Sequence, residues 1–482
     1  MSTMTTDGLH ALGAAQLAEG YARGRFSPTE VVQAVLAHMA CWEPHLHATW
    51  AADPEAALAQ AAASEARWRE GAPLGPLDGV PVTLTENIAT RGLPLPLGTA
   101  ATTLRPAAED GPPAARLREA GAVLLAKTTM PDYGMLSSGL SSFHALARNP
   151  WNLACNPGGS SAGAGAAAAA GYGPLHLGTD IGGSIRLPAA WCGVVGFKPS
   201  DGRVPIQPPY TGRVAGPLTR TVADTAVAMG VLSRPDWRDA ASLPPQDVDW
   251  LGLPATPEAA LALVRGLRVG LLLDAGWGLP LDAEIEAAVR AAARLLAGHG
   301  AQVQAWAGFT TREMADGIDR FWRLRAWLEI TTLPAERQAL VLPYIRQWAE
   351  GGAGLSAAQA FQAHGQMAVL RDTAVAACRG VDVVISPVAP VSAYAAEWAS
   401  PTNDPDRAME HIAYTLPYNM SGQPAITVPC GHTQSGLPIG LQIIGPRHDD
   451  LGVLRVARAW ELLRPALRPW PQPPRMAPSA AG

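Results

Sequence analysis

Two glycine-rich blocks carry the residues best suited to chemistry. The first is Gly158-Gly159-Ser160-Ser161-Ala162-Gly163. The second is Gly178-Thr179-Asp180-Ile181-Gly182-Gly183-Ser184-Ile185-Arg186, with Ser184 lying 24 positions after Ser160. A hydrolase needs a nucleophile, a base to take its proton, and backbone donors for the developing oxyanion. Glycines beside a serine expose N–H groups with no side chain in the way. Ile181, Gly182, Gly183 and Ser184 are therefore candidate donors around one reacting carbonyl. Asp180 and Arg186 flank the turn and can lock it through charge-assisted hydrogen bonds.

The segment over 149–204 has the Gly/Ser/Ala composition of a flexible linker. Two features point to an ordered structure instead. Asp180 and Arg186 are isolated charges among glycines, and Val194-Val195-Gly196-Phe197-Lys198-Pro199 reads as the end of a strand. Gly159-Ser160-Ser161-Ala162-Gly163 also fits GxSxG, the nucleophile elbow, with Ser161 as nucleophile. That motif requires a strand immediately before it, whereas Asn149-Pro150-Trp151-Asn152 and Asn156-Pro157 read as turns.

The elements that must hold these blocks alternate in type. The first 70 residues read as helices, and Ser27-Pro28-Thr29-Glu30 combines an N-cap, an N1 proline and a capping-box glutamate. Val31, Val32, Val35 and Leu36 follow at helical spacing. Short apolar runs predict strands over 77–84, 122–125, 267–273, 381–385, 425–429 and 440–444, the last two as a pair. Helices are expected over 115–120, 282–298 and 311–328. Pro244 and Pro245 mark a surface connection. This alternation argues for α/β layering. Trp322, Trp327 and Trp348 fall in the helical stretch and are either packing aromatics or a substrate-pocket wall.

The two serine blocks, their spacing, and the following Pro188-Ala189-Ala190, Gly193 and Gly196-Phe197-Lys198-Pro199 resemble the amidase signature family. The resemblance spans most of the chain. It includes Gly79-Val80-Pro81-Val82, Glu86-Asn87-Ile88-Ala89, Asn149-Pro150-Trp151-Asn152, Ser421-Gly422-Gln423-Pro424-Ala425-Ile426-Thr427-Val428-Pro429 and Gly436-Leu437-Pro438-Ile439-Gly440-Leu441-Gln442. It implies an α/β fold with a mixed central β-sheet covered by helices on both faces. It further implies a Ser–cis-Ser–Lys triad, with Ser184 as nucleophile and Ser160 as the bridging serine on a cis peptide. Ile181, Gly182 and Gly183 would supply the oxyanion hole, supported by Asp180, Arg186 and Ser161. On this basis the chain divides into an N-terminal helical segment (1–70), a core with the catalytic loops (71–235), a variable, mainly helical, substrate-facing region (236–380) and the C-terminal part of the core (381–482).

The third triad member departs from the pattern. Where the family places its lysine, two residues before the asparagine of Leu84-Thr85-Glu86-Asn87, this chain has Thr85. A threonine hydroxyl can pass a hydrogen bond but has no usable basicity near neutral pH. Losing a positioned general base typically costs about 10²–10⁴ in rate. Only two lysines exist, Lys127 and Lys198. Lys198 matches a structural lysine of the family, and Lys127 is expected to follow a buried strand and serve a neighbour. Thr85 fits an engineered substitution, a natural lineage that kept only binding, or an enzyme using another base, such as a substrate amine, Asp132 or His144. Tyr133, Met135 and Phe143 are either core or an apolar pocket wall favouring a hydrophobic amide or carbamate.

Composition narrows the rest. At 482 residues the chain exceeds the usual single-core limit of roughly 250–300 residues. A net charge of −5 gives no reason to expect nucleic acid or an anionic membrane. The five cysteines are scattered without CxxC spacing, and the His45/His47 pair reads as a solvated helix end, so neither a metal nor a disulfide framework is expected. No nucleotide-binding motif is present. MSTMTTDGLH lacks the character of a secretory signal, and no apolar stretch reaches the roughly 20 residues of a membrane span. The expectation is a cytoplasmic, cofactor-free, monomeric or homodimeric hydrolase of a small-molecule amide, carbamate or urea-like bond. The alternatives are a non-catalytic amide-binding relative and an amidase-like component of an amidotransferase complex.

Overall fold

The computed structural model describes residues 8–474, so the start of the segment read for a leader lies outside the described residues. One mixed sheet of 11 strands organises the chain. In chain order these are β1 (Thr49–Trp50), β2 (Pro81–Thr85), β3 (Val123–Thr128), β4 (Leu175–Asp180), β5 (Val195–Lys198) and β6 (Val214–Thr219). They continue with β7 (Arg268–Leu272), β8 (Gln302–Trp306), β9 (Val383–Pro387), β10 (Ala425–His432) and β11 (Pro438–Ile444). Across the sheet the order is β1-β3-β2-β4-β6-β5-β10-β11-β9-β7-β8. β2 is parallel to β3 and β4, and β7 is parallel to β8 and β9. The remaining pairs are antiparallel. Every residue of β2, β4, β6 and β11 is buried. Because alternate side chains of a strand point opposite ways, both faces of the sheet are covered.

Helices supply that cover. The N-terminal ones are α1 (Ala14–Ala22), α2 (Pro28–Leu46), α3 (Pro54–Arg69) and α4 (Pro112–Glu119). Ser27 Oγ accepts from the Glu30 amide at 3.2 Å while Glu30 accepts from the Ser27 amide at 2.7 Å, so the capping box closes and α2 starts there. Next come α5 (Ala162–Ala170), α6 (Arg186–Cys192), α7 (Val222–Leu232), α8 (Pro257–Val264) and α9 (Ala283–Gly298). The last group is α10 (Arg312–Thr331), α11 (Ala335–Gln338), α12 (Pro343–Glu350), α13 (Ala357–Ala377), α14 (Leu416–Met420) and α15 (Asp450–Leu463). The strand anticipated from residue 77 begins only at Pro81, because Gly79 turns the chain with φ +80°.

The run of small residues after the first serine block is neither linker nor membrane segment. It is α5, and all nine of its residues are buried. Small side chains let this helix approach its neighbours closely: a Cβ on Gly163 would lie 2.0 Å from the Ala48 carbonyl oxygen and 2.6 Å from the Thr129 amide. Both obstacles are backbone, so neither can swing away. Gly163→Ala is expected to lose about 1–3 kcal/mol, the usual range for overpacking. Gly298→Ala, where nothing lies within 4 Å, is expected to be neutral or slightly stabilising. Matched thermal scans of the two variants check this, and equal melting temperatures would show that α5 has room to move.

Candidate functional site

The site assembles where β2, β3 and β4 end on one edge of the sheet. β2 finishes at Thr85, whose register partner is Thr128 at the end of β3. β4 finishes at Asp180, which begins the second serine block. The first serine block is pinned between these ends. Ser161 Oγ donates to the Thr179 carbonyl and accepts from the Thr179 amide, both at 3.1 Å. The Ser161 amide donates to the Ser184 carbonyl at 3.1 Å, and the Gly163 amide to the Thr129 carbonyl at 3.0 Å. Ser161 is fully buried and committed in both directions, so the elbow reading with Ser161 as nucleophile does not hold. The Gly159–Ser160 peptide is cis. A Cβ on Gly134 would lie 3.3 Å from Ser160 Oγ, so that glycine leaves the approach to Ser160 open.

The Ser184 loop is held by a buried ion pair. Asp180 Oδ1 accepts from the Gly183 amide (2.8 Å), Arg186 Nη2 (3.0 Å) and Asn419 Nδ2 (2.8 Å). Asp180 Oδ2 accepts from the Ile185 amide (3.0 Å) and Arg186 Nε (3.1 Å). Arg186 Nη1 reaches the Thr415 carbonyl (2.9 Å) and Gln442 Oε1 (2.7 Å), and Nη2 also donates to Asn419 Oδ1. Burial opposes ionisation of Asp180, but the Arg186 charge and these hydrogen bonds prevail and bring its carboxyl down to about 2. Thr415 Oγ1 donates to the Gly182 carbonyl. Position 183 demands glycine, with φ +129° and a would-be Cβ only 2.6 Å from Thr415 Oγ1.

This arrangement revises the expected oxyanion donors. The Gly183 amide is directed at Asp180, not at a ligand. The amides of Ile181, Gly182 and Ser184 find no acceptor among the described residues, and all three residues line a cavity of about 660 Å³. Ser184 is 9% exposed at that cavity and Ser160 is 5% exposed. Met135 lines the cavity, whereas Tyr133 lines a larger adjoining one of about 1770 Å³. Phe143 lines neither; it packs edge-on against Trp50, with ring centroids 5.6 Å apart. Of the three tryptophans left open by the sequence, Trp322 and Trp348 form cavity wall and Trp327 packs against the helical core beside it.

Thr85, at the end of β2, is 1% exposed. Lys127 does not follow its strand but lies within β3, beside Leu84. Because side chains alternate along a strand, it leaves the sheet on the face opposite Thr85. Its Nζ donates to the Ile88 carbonyl (2.6 Å) and Thr90 Oγ1 (2.8 Å), and burial pushes its pKa down to about 7. Lys198 donates to the Pro199 carbonyl at 2.9 Å and is buried likewise. Asp132 accepts from Ser142 and the Leu342 amide, and His144 pairs with Glu86 at 2.6 Å. Neither lines the two cavities.

Several site residues have no sequence signal of their own. Thr415, Asn419, His411 and Ile412 come from the segment before β10, and Arg325 from α10. Only Gln442 lies within a motif visible in the sequence. Among the described residues no cluster of His, Cys, Asp or Glu is suited to a metal, and no helix is long and apolar enough to cross a membrane.

Known proteins share this organisation. The Amidase family model matches residues 30–454. An acylamidase of Rhodococcus erythropolis is 34% identical over 485 residues, covering 97% of this chain and 98% of that protein. A glutamyl-tRNA(Gln) amidotransferase subunit of Roseiflexus castenholzii is 35% identical over 485 residues, covering 94% of this chain and 96% of that protein. A solved bacterial aryl acylamidase of the amidase signature family superposes with a TM-score of 0.84 at 31% identity, covering 93% of this chain and 96% of that one.

The Asp180–Arg186 pair yields a stability prediction with a defined sign. Asp180→Asn leaves Arg186 buried without its counter-charge and is expected to cost about 3–5 kcal/mol at neutral pH. The carboxyl is lower in the fold (about 2) than its ordinary 3.8. Its contribution is therefore complete above about pH 4 and disappears as pH falls through 2. Denaturant unfolding of both proteins across pH 2–7 checks this; a gap that stays constant down to pH 2 would assign the stabilisation to another group.

Proposed function

The chain belongs to the amidase family of C–N bond hydrolases, and we propose that it cleaves an amide, carbamate or urea-like bond in a small molecule through Ser184. The observation that carries this reading is a single one. Ser184 opens onto a cavity beside unpaired amides of Ile181 and Gly182, with Ser160 of the cis peptide in the adjoining block. In the proposed reaction Ser184 Oγ bonds to the carbonyl carbon as the C–N bond breaks, and the hydroxyl proton passes by way of Ser160 to the departing nitrogen. Water then adds to the acyl-enzyme, releasing the acid and restoring the serine. The amides of Ile181 and Gly182 stabilise the oxyanion at each stage. The apolar wall of Met135, Trp322, Trp348 and Ile412 favours a hydrophobic or aromatic acyl or amine group.

The family resemblance puts a proton acceptor where this chain has Thr85, which is not basic, so turnover by the chain as written is expected to be slow. A second reading is favoured by the 35% identity to an amidotransferase component: an amidase-like chain that works with partner proteins. Turnover of simple anilides by the purified chain separates the two, since a component of that kind would depend on its complex.

The deciding measurement pairs the chain as written with Thr85→Lys on a panel of p-nitroanilides and aryl carbamates. The expected gain is about 10²-fold or more, the range of general-base catalysis, and Ser184→Ala in the same background should abolish it. Turnover by the parent chain with no gain from Thr85→Lys would mean that another group is the base. Absence of turnover in both would favour the binding-only or partner-dependent reading.

A further inference from the structure

The proposed reaction gives no task to the passage between the two cavities. Trp322 and Arg325 line both the cavity over Ser184 and the larger one beside it. A substrate long enough to reach from one to the other therefore passes these two side chains. Both lie on α10, three residues apart and so on one face of the helix. Trp322 is anchored against the Ser184 loop: a Cβ on Gly182 would lie 3.3 Å from its ring.

The polar atoms at this passage are incompletely satisfied. Trp322 is 8% exposed, and its indole N–H, which can only donate, has no partner among the described residues. His411, 3% exposed in the inner cavity, has an Nε2 that is likewise unpartnered among them. Both nitrogens are themselves buried, so neither is offered to a ligand in the cavity as it stands. Arg325 makes no ion pair within 4.0 Å among the described residues; its guanidinium lies over the Tyr210 ring, 5.0 Å from the centroid. Arg213 stands over the same ring at 5.1 Å but spends its donors on the Pro208 and Asn87 carbonyls. Glu329, one helical turn after Arg325, is the acidic side chain lining the outer cavity, against two arginines. The place where the cavities meet thus presents excess positive charge and a guanidinium with unused donors.

We propose that the substrate carries a carboxylate, bound by Arg325 where the two cavities meet. The proposal deepens the hydrolase reading and rests on it only in calling the ligand a substrate. Arg325 is then a specificity-determining residue: it selects acidic amides by a charge-assisted hydrogen bond without touching the reacting atoms.

Calorimetric titration of the full chain carrying Ser184→Ala, which prevents turnover, tests this with two probes. Succinanilate bears the carboxylate, and butyranilide is its uncharged counterpart. Succinanilate is expected to bind about tenfold or more tightly, the range of a hydrogen bond to a charged group. Arg325→Met should erase the preference, and Arg325→Lys should keep part of it. Equal binding of the two probes, a preference that survives Arg325→Met, or failure of both to bind each overturns the proposal. The hydrolase reading is judged separately, by turnover of neutral anilides in the Thr85→Lys comparison, so the two can fail independently.

Discussion

The Asp180 carboxylate and the Arg186 guanidinium meet with both side chains fully buried, and the geometry of the Ser184 loop follows from that contact. Such a pair persists only when nearly every lone pair and proton has a partner. Asp180 takes amides from inside its own loop, while Arg186 reaches Thr415, Asn419 and Gln442. Residues more than two hundred positions apart thereby become one hydrogen-bonded body. Asn419 extends it by donating to Asp180 and to the Gly212 carbonyl. The loop cannot relax without leaving a buried charge unpaired, which keeps Ile181 and Gly182 at the cavity wall.

The same tight construction fixes the ionisable groups around Thr85. The ends of β2 and β3 are buried, and the pleat sends Lys127 away from Thr85. Asp132 and His144 are tied into contacts of their own. Lys127, Asp132 and His144 are thus each committed to partners of their own.

Part of the cavity wall comes from a different region of the fold than the Ser184 loop. α10 contributes Trp322 and Arg325, and its position is set by Arg323, whose guanidinium joins Asp319, the Trp348 carbonyl and the Pro405 carbonyl. Trp348 in turn donates to Asp319 at 2.9 Å. This wall is thus braced by contacts of its own as well as by its packing on Gly182.

Local chemistry made part of this legible. The capping box at Ser27, the buried apolar strands, the paired strands β10 and β11, and the two serine blocks follow from residue type and spacing, because short-range sterics and periodicity write them into adjacent positions. Spacing also set Ser184 24 positions after Ser160. It could not reveal that Gly183 spends its amide on Asp180, that Phe143 turns to Trp50, or that Lys127 faces away from the site. Nor could it show that Thr415, Asn419, His411 and Arg325 belong there. Those outcomes depend on strand register, on which face a side chain leaves the sheet, and on contacts between distant segments. Only the packed chain fixes these, because the partners that satisfy a buried charge need not be neighbours in sequence.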